Sequence, residues 1–238
     1  MKTYKTVSRE SAMRKAIEGL NKCLKESRKK PVLFMLSGGS SLELLAGIEM
    51  RNIGKNITVT VLDERYSTDP AVNNFSQVTE TEFYKRAEKK GIDYIDTRVR
   101  YRITLKGLAK KFERELQKWR KKHSRGRIII TQGIGPDGHT AGIMPYPENS
   151  KKFQKLFDKA GRWIVGYNAT KKKTDYPKRI TVTFPFLKEQ VDCAIVYATG
   201  SKKTKAMRKI FKKKGTLYET PGRIIYQMKN VTVATDRR

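Results

Sequence analysis

The chain has few of the residues that build metal sites, disulfide frameworks or membrane spans. Its 238 residues include only two histidines and two cysteines, Cys23 and Cys193, which lie far apart in the sequence. That spacing suggests neither a disulfide framework nor a zinc knuckle, and we expect Cys193 to be a core residue of an apolar strand. No run approaches the roughly 18 apolar residues of a membrane span, and no apolar signal core follows the N-terminus. These absences predict a cytoplasmic protein without a membrane partner.

Acidic residues are also scarce, since 23 Asp and Glu stand against 53 Lys and Arg, for a net charge of +30. A field of this sign favours nucleic acid, anionic lipid or phosphorylated metabolites. However, the basic residues are spread over the whole chain, and the clusters Lys171-Lys172-Lys173 and Lys212-Lys213-Lys214 lie beside predicted turns. Aromatic residues at stacking spacing do not accompany them. We therefore expect nucleic acid to bind only non-specifically, through the basic surface.

Hydrophobic periodicity predicts an alternation of strands and helices in one domain over residues 1–238. Strands are predicted at 32–36, 57–62, 127–131, 162–167, 179–184, 191–198 and 230–235. Helices are predicted at 8–27 with Ser8 as the N-cap, shortly after residue 41, and at 73–90, 105–122 and 201–213. The alternation predicts an α/β fold with a mostly parallel sheet and helices on both faces.

A glycine- and serine-rich loop, Ser37-Gly38-Gly39-Ser40-Ser41, follows the first buried strand. Glycines let the backbone approach a ligand closely, and the next helix offers free N–H groups. The hydroxyl groups of Ser40 and Ser41 add donors, so the loop suits one phosphate group. It lacks the lysine of a nucleotide P-loop. The alternative is a tight strand-to-helix turn with a serine cap.

A second glycine-rich loop follows the strand at 127–131 and contains Asp137, His139 and Thr140 after Gly133, Gly135 and Gly138. The three glycines force a tight loop that presents Asp137 and His139 together. A histidine in such a loop beside an aspartate is typical of a positioned general base. The other histidine, His123, lies in a basic stretch and is expected to face solvent.

Charged residues mark two further positions. The triplet Asp63-Glu64-Arg65 directly follows a predicted buried strand, where three charges are costly unless they are paired or used. A salt-bridged strand end is the alternative. Arg179, on a later strand, and Lys203, at the start of the last predicted helix, would be able to close a phosphate site from the side opposite the glycine loop.

Taken in order, these segments resemble the 6-phosphogluconolactonase family, which is related to the glucosamine-6-phosphate deaminases. The matching segments are Leu36-Ser37-Gly38-Gly39-Ser40, Asp63-Glu64-Arg65 with Asn74 eleven positions after Asp63, 133–141 with Pro145, Arg179-Ile180-Thr181-Val182-Thr183, and Thr199-Gly200-Ser201-Lys202-Lys203. The resemblance runs from about residue 32 to 213. It implies a three-layer, Rossmann-like fold and the hydrolysis of 6-phosphogluconolactone to 6-phosphogluconate in the pentose phosphate pathway, without a metal or cofactor.

The resemblance also implies a role for each matched residue. His139 would be the general base, with Asp63, Arg65 and Asp137 around the reacting end. In the mechanism that we hypothesise from this arrangement, Asp137 or Asp63 would orient the imidazole. Arg65 and loop N–H groups would stabilise the oxyanion. The 6-phosphate would be held by Gly38, Gly39, Ser40, Ser41, Arg179 and Lys203. No serine or cysteine has the strand–elbow context of a nucleophile, so no covalent intermediate is expected.

The chain departs from the family at several positions. Ser41-Leu42 replaces the usual Thr-Pro, Gly142-Ile143-Met144 replaces Ser-Leu-Phe, and Asn73 replaces the usual serine before the matched asparagine. The deaminases carry a tyrosine where Arg65 stands and a carboxylate where Met144 stands. Ring opening and isomerisation need that extra acid or base, which methionine cannot supply. The pattern therefore favours the lactonase over the deaminase.

A non-catalytic protein that binds phosphorylated ligands or nucleic acid is the third reading, and the +30 charge supports it. A pure binding protein has no use for a base in a glycine loop, and the site residues Asp63, Arg65, Asp137 and His139 speak against it. The sequence does not determine the oligomeric state, and we expect a monomer. It also leaves open which phosphorylated sugar is preferred.

Overall fold

The computed structural model describes residues 1–100, 102–171 and 173–237. The strands of these segments are β1 (Lys2–Lys5), β2 (Val32–Leu36), β3 (Ile57–Val61), β4 (Asp63–Arg65), β5 (Asp93–Tyr94), β6 (Arg127–Gly133), β7 (Ile164–Asn168), β8 (Lys178–Val182), β9 (Cys193–Ala198) and β10 (Val231–Thr235). The α-helices are α1 (Arg9–Lys25), α2 (Asn74–Thr79), α3 (Glu82–Glu88), α4 (Leu105–Lys122), α5 (Ser150–Phe157) and α6 (Thr204–Phe211). Within the described segments, no helix is both long and apolar enough to cross a bilayer.

A seven-stranded sheet forms the centre of the fold, with the order β1-β10-β9-β6-β2-β3-β5. Every neighbouring pair in it is parallel. Helices cover both faces because the side chains of each strand alternate between two separate hydrophobic clusters. In β2, Leu33 and Met35 belong to the cluster with α4, whereas Val32, Phe34 and Leu36 belong to the cluster with α1. The predicted α/β fold with a mostly parallel sheet is confirmed.

A second sheet, which the sequence did not predict, packs beside the first. It has three antiparallel strands in the order β4-β8-β7. The strands predicted at 162–167 and 179–184 exist as β7 and β8, but they belong to this small sheet and not to the central one. The triplet predicted as a strand end, Asp63-Glu64-Arg65, is itself β4, and Arg65 lies opposite Arg179 in the register. The small sheet thus brings the two charged segments together.

Several local elements differ from the prediction. The helix predicted at 73–90 is interrupted, because the side chain of Thr81 accepts a hydrogen bond from the Tyr84 N–H and starts α3 as a new N-cap. The short strands β1 and β5 and the helix α5 were missed. The predicted cap of α1 is correct, since the Ser8 hydroxyl oxygen accepts a hydrogen bond from the Ser11 N–H. In addition, 3₁₀ helices at Gly39–Gly47 and Ser201–Lys203 replace α-helical turns at those positions.

The two cysteines form a disulfide bond, which corrects the expectation of an unpaired core cysteine. Cys23 on α1 and Cys193 at the start of β9 are bonded, with their Cα atoms 6.7 Å apart. Both residues are buried, with 6% and 1% of their surface exposed. Residues 170 positions apart in sequence meet because α1 packs directly on β9 and β10. Linear spacing could not show this pairing.

The two basic clusters differ in their surroundings. Lys212, Lys213 and Lys214 follow α6 and are exposed, as predicted. Lys173 is half-buried, and its ammonium group contacts Glu148 at 2.8 Å and the Pro145 carbonyl oxygen at 2.8 Å. Lys172 lies outside the described residues.

Candidate active site

A cavity of about 250 Å³ opens where β2 and β6 end, on the side of the sheet where ligands bind in open α/β folds. Residues from the ends of both sheets and from the loops after β2, β6 and β9 surround it. The lining consists of Ser37, Gly38, Gly39, Ser40, Ser41, Asp63, Arg65, Asn74, Gly133, Ile134, Gly135, Pro136, His139, Ala141, Arg179 and Lys203.

The loop after β6 holds His139 in a tightly folded turn. The Gly135 N–H donates to the His139 carbonyl oxygen at 2.9 Å, and the Gly138 N–H donates to the Gly135 carbonyl oxygen at 3.0 Å. A Cβ atom on Gly135 would stand 2.1 Å from the imidazole ring. Only glycine therefore leaves room for the ring of His139 at this position, which explains the glycine spacing in the motif.

An aspartate orients the imidazole. The Oδ1 atom of Asp137 lies 2.6 Å from Nδ1 of His139 and also accepts the His139 backbone N–H at 3.1 Å. A carboxylate acceptor at Nδ1 places the proton there and leaves Nε2 as the free base. Burial opposes the ionisation of Asp137, but its hydrogen bonds with His139 outweigh that effect, and the pKa of Asp137 is lowered. The pair has the geometry of a general base and its orienting carboxylate.

The glycine- and serine-rich loop after β2 forms one wall of the cavity. It is attached to β6, the strand that precedes the His139 loop, because the Ser37 N–H donates to the Thr131 hydroxyl oxygen at 3.0 Å. Lys203 reaches this wall, and its Nζ lies 3.2 Å from Oγ of Ser40. Burial lowers the pKa of Lys203, and the nearby positive charge of Arg9 lowers it further. An ammonium group and a hydroxyl group thus converge at one position, as binding of a phosphate group requires.

The small sheet supplies the opposite wall. Nη1 of Arg179 lies 3.4 Å from Oδ2 of Asp63, and both side chains are almost fully buried. Burial raises the pKa of Asp63, although the positive charges of Arg179 and Arg65 offset part of that effect. Arg65 stands beside Arg179, with its Nη1 3.3 Å from the Val72 carbonyl oxygen and its guanidinium 5.3 Å from the Tyr176 ring centre.

Several polar atoms around the cavity are buried without a hydrogen-bond partner in the described part of the chain. They are Ser41 Oγ, Asn74 Oδ1, Arg65 Nε and Arg179 Nε. Buried polar atoms are almost always hydrogen-bonded, and unpaired ones are costly. A concentration of them on residues lining a single cavity is expected where a polar ligand binds.

The structure brings nearly all of the predicted site residues to this cavity. Asp137 does not line it but contacts His139 directly. Sequence reasoning missed a role for Asn74, which donates from Nδ2 to the Asp63 carbonyl oxygen at 2.9 Å. Nor did the sequence indicate that the Tyr176 ring would contact the Arg65 guanidinium. The other histidine, His123, is half-buried with its ring 5.1 Å from that of Trp119, and so is less exposed than expected.

No cluster of three or more histidine, cysteine, aspartate or glutamate side chains suited to a metal ion occurs in the described segments. The donor groups around the cavity are instead hydroxyl, guanidinium, ammonium and imidazole groups, which suit an anionic organic ligand.

Comparison with known families agrees with this arrangement. The profile of the family described as glucosamine-6-phosphate isomerases/6-phosphogluconolactonase matches residues 7–234. The chain belongs to this family. The glucosamine-6-phosphate isomerase/6-phosphogluconolactonase family was predicted from the motifs around the cavity, and that prediction is confirmed. No sequence among curated proteins matches the chain significantly.

Solved structures of family members share the fold. A 6-phosphogluconolactonase from Trypanosoma brucei superposes with a TM-score of 0.76 at 16% identity, covering 98% of this chain and 95% of the other. A 6-phosphogluconolactonase from Thermotoga maritima gives a TM-score of 0.71 at 20% identity, covering 99% and 98%. The Leishmania guyanensis enzyme of the same name gives 0.72 at 18%, covering 98% and 95%. At these identities the similarity shows the fold alone.

Proposed function

We propose that the protein hydrolyses 6-phospho-D-glucono-1,5-lactone to 6-phosphogluconate, a step of the pentose phosphate pathway, in the cytoplasm. The observation that supports this most is that His139, held by Asp137, lines the same cavity as the glycine- and serine-rich loop and Lys203. A base and a phosphate-binding wall in one cavity suit the hydrolysis of a phosphorylated ester. The structures of similar fold named 6-phosphogluconolactonase support the same substrate.

In the proposed mechanism, Nε2 of His139 removes a proton from a water molecule as that water attacks the C1 carbonyl carbon. Asp137 holds the imidazole in the required tautomer. Arg65 and N–H groups of the loops stabilise the oxyanion of the tetrahedral intermediate. The C1–O5 bond then breaks, and the ring oxygen accepts from His139 the proton that the base had taken from water. The product acid releases one proton to solvent.

The phosphate would bind the Gly38–Ser41 loop, Lys203 and Arg179. One arm of Arg179 contacts Asp63, and another donates to the Thr174 hydroxyl oxygen at 2.9 Å. The Nε atom of Arg179 has no hydrogen-bond partner among the described residues and would be free to bind the phosphate. An Nη group would bind it as well where the phosphate displaces Asp63 or Thr174 from that group. Asp63 would hold Arg179 and add negative charge near His139.

The alternative activity, deamination of glucosamine-6-phosphate, has less support. Met144 stands where the deaminases carry a carboxylate, and its side chain is buried in the core with 2% of its surface exposed. Among the described residues that line the cavity, Asp63 is the one acid, and it is paired with Arg179. The site therefore offers no second proton shuttle for isomerisation.

The decisive test is a pH-stat assay of freshly prepared 6-phosphogluconolactone, with the spontaneous hydrolysis rate subtracted. The wild-type protein should accelerate proton release, and H139Q should lower kcat by about 10²–10⁴-fold. H123Q, which changes the other histidine outside the cavity, should retain wild-type activity. Wild-type turnover by H139Q would refute the assignment of the base. Ammonia release from glucosamine-6-phosphate without lactone hydrolysis would instead support the deaminase.

A further inference from the structure

Glu64 is a fully buried carboxylate to which the proposed mechanism assigns no role. None of its surface is exposed, although its neighbours in sequence, Asp63 and Arg65, both line the cavity. Side chains alternate along a strand, so Glu64 points away from the cavity while the other two point into it. An unused acid in such a position needs an explanation, because burial of a carboxylate is costly.

Four hydrogen bonds surround this carboxylate. Its Oε1 accepts the backbone N–H groups of Arg65 at 2.8 Å and of Asn74 at 2.6 Å. Its Oε2 accepts the Phe75 N–H at 3.0 Å and the Thr97 hydroxyl at 2.8 Å. These donors come from three separate segments: β4, the first turn of α2, and the loop after β5. Glu64 therefore ties together segments that no backbone ladder joins.

Two of the tied residues belong to the candidate active site. Asn74 returns a hydrogen bond from Nδ2 to the Asp63 carbonyl oxygen at 2.9 Å, which closes a ring of contacts around β4. The guanidinium of Arg65 contacts the carbonyl oxygen of Val72, two residues before α2, at 3.3 Å. Because Glu64 fixes both the backbone of Arg65 and the segment that its guanidinium contacts, it controls the guanidinium position from both ends.

We infer that Glu64 is a positioning residue that places the Arg65 guanidinium for stabilising the oxyanion. The inference depends on the proposed function, since it assigns Glu64 to the same reaction. Glu64 itself touches neither the cavity nor a substrate. Displacement of a stabilising group by about 1 Å is sufficient to cost roughly 10²-fold in rate. The expected consequence is a loss in kcat and not in KM.

The test is a double-mutant cycle with E64Q, R65A and the combined variant, assayed for kcat and KM with 6-phosphogluconolactone. Glutamine keeps the shape of Glu64 but turns an NH₂ group toward N–H donors. E64Q should lower kcat by about 10- to 100-fold with little change in KM. In the R65A background the same substitution should change kcat by less than about twofold, because the residue through which it acts is absent.

A milder pair of variants keeps the test valid if E64Q does not fold. T97V removes one of the four hydrogen bonds while keeping the side-chain shape, and should lower kcat only when Arg65 is present. The matched control is T60V, since the buried Thr60 hydroxyl donates to the Ile95 carbonyl oxygen on the same loop without contacting Glu64. T60V should lose comparable stability and leave kcat per folded molecule unchanged.

The outcomes separate the inference from the proposed function. Substitution of Glu64 or Thr97 would overturn the inference by lowering kcat by the same factor in the wild-type and in the R65A background. The effect would then be on folding alone. An unchanged kcat in folded E64Q would also overturn it. Absence of lactone hydrolysis by the wild-type protein would refute the proposed function, and the inference with it.

Discussion

The Cys23–Cys193 disulfide should contribute a large share of the stability of the fold. It joins α1 to β9 and closes a loop of 170 residues, so it restricts the unfolded chain strongly. The loop-entropy relation gives about 5 kcal/mol at 25 °C for a loop of this length, which is an upper limit, and measured values for disulfides are typically about 2–4 kcal/mol. For a chain of this size, each kcal/mol shifts Tm by roughly 2–4 °C.

Reduction should therefore lower Tm by about 5–15 °C. The measurement is thermal unfolding by circular dichroism with and without a phosphine reductant, with free thiols counted in denaturant to confirm the redox state. Comparing oxidised with reduced wild-type protein leaves every sulfur atom in place and changes only the cross-link. The reference variant C23A/C193A should show the low Tm in both conditions.

An equal Tm for the oxidised and the fully reduced protein would refute this reasoning. Such a result would mean that the reduced unfolded chain is already so restricted that the bond adds nothing. The buried position of both sulfur atoms also predicts slow reduction of the folded protein, since exposed disulfides are the labile ones. Thiol release should accordingly follow unfolding and not precede it.

Three further predictions concern binding and pH. K203M should raise KM by about 10- to 100-fold with kcat nearly unchanged, because it removes a charged hydrogen bond to the phosphate. Hydrogen bonds from Arg98 and Arg100 outweigh burial and lower the pKa of Asp96 to about 2. Wild-type protein should therefore exceed D96N in unfolding free energy by up to about 2 kcal/mol above pH 4, and this difference should vanish as the pH falls toward 2. Duplex DNA should bind without sequence preference and with a steep loss of affinity as salt rises.

The two variants, K203M and D96N, have matched controls. K202M removes an exposed charge next to Lys203 and should not change KM; a change confined to kcat in K203M would mean that the phosphate lies elsewhere. D93N, which removes an exposed carboxylate near Asp96, is the control for D96N. An unfolding free energy of the wild-type protein that still exceeds that of D96N at pH 2 would contradict the pairing of Asp96 with Arg98 and Arg100. Sequence-specific DNA binding that survives physiological salt would favour the binding-protein reading over non-specific attraction.

Much of the site was predictable because its signals are local. The glycines around His139 and the serines after β2 are contiguous in the chain, and each loop follows a strand whose apolar run is unmistakable. The carboxyl ends of neighbouring parallel strands lie at one edge of the sheet, which brings the two loops together. The roles of individual residues, such as His139 as the base, stay predictions until the variants are assayed.

The features that were missed depend on contacts between distant segments. An apolar run has the same appearance in a central parallel strand and in the edge of a small antiparallel sheet, so β7 and β8 were assigned to the wrong sheet. The pairing of Arg179 with Asp63 follows from that second sheet. It was not predicted because the sheet was not predicted. The disulfide was hidden for the same reason, since Cys23 and Cys193 meet only once α1 packs on β9.

The pairing of charges in the cavity suggests how binding and catalysis are divided. Asp63 is paired with Arg179 and Asp137 with His139, whereas neither Arg65 nor Lys203 has a carboxylate partner among the described ion pairs. Those two cations lie on different elements of the cavity wall.

A phosphorylated lactone carries a permanently charged phosphate group, and a further negative charge develops on its C1 oxygen only as water attacks C1. A cation that meets the permanent charge binds substrate and transition state alike and acts on KM, whereas a cation that meets the developing charge acts on kcat. Lys203, beside the hydroxyl of Ser40, suits the first role, and Arg65 suits the second. This division gives a reason for the inferred positioning of Arg65 by Glu64. Stabilisation of a transient charge depends on geometry far more than attraction of a permanent charge does.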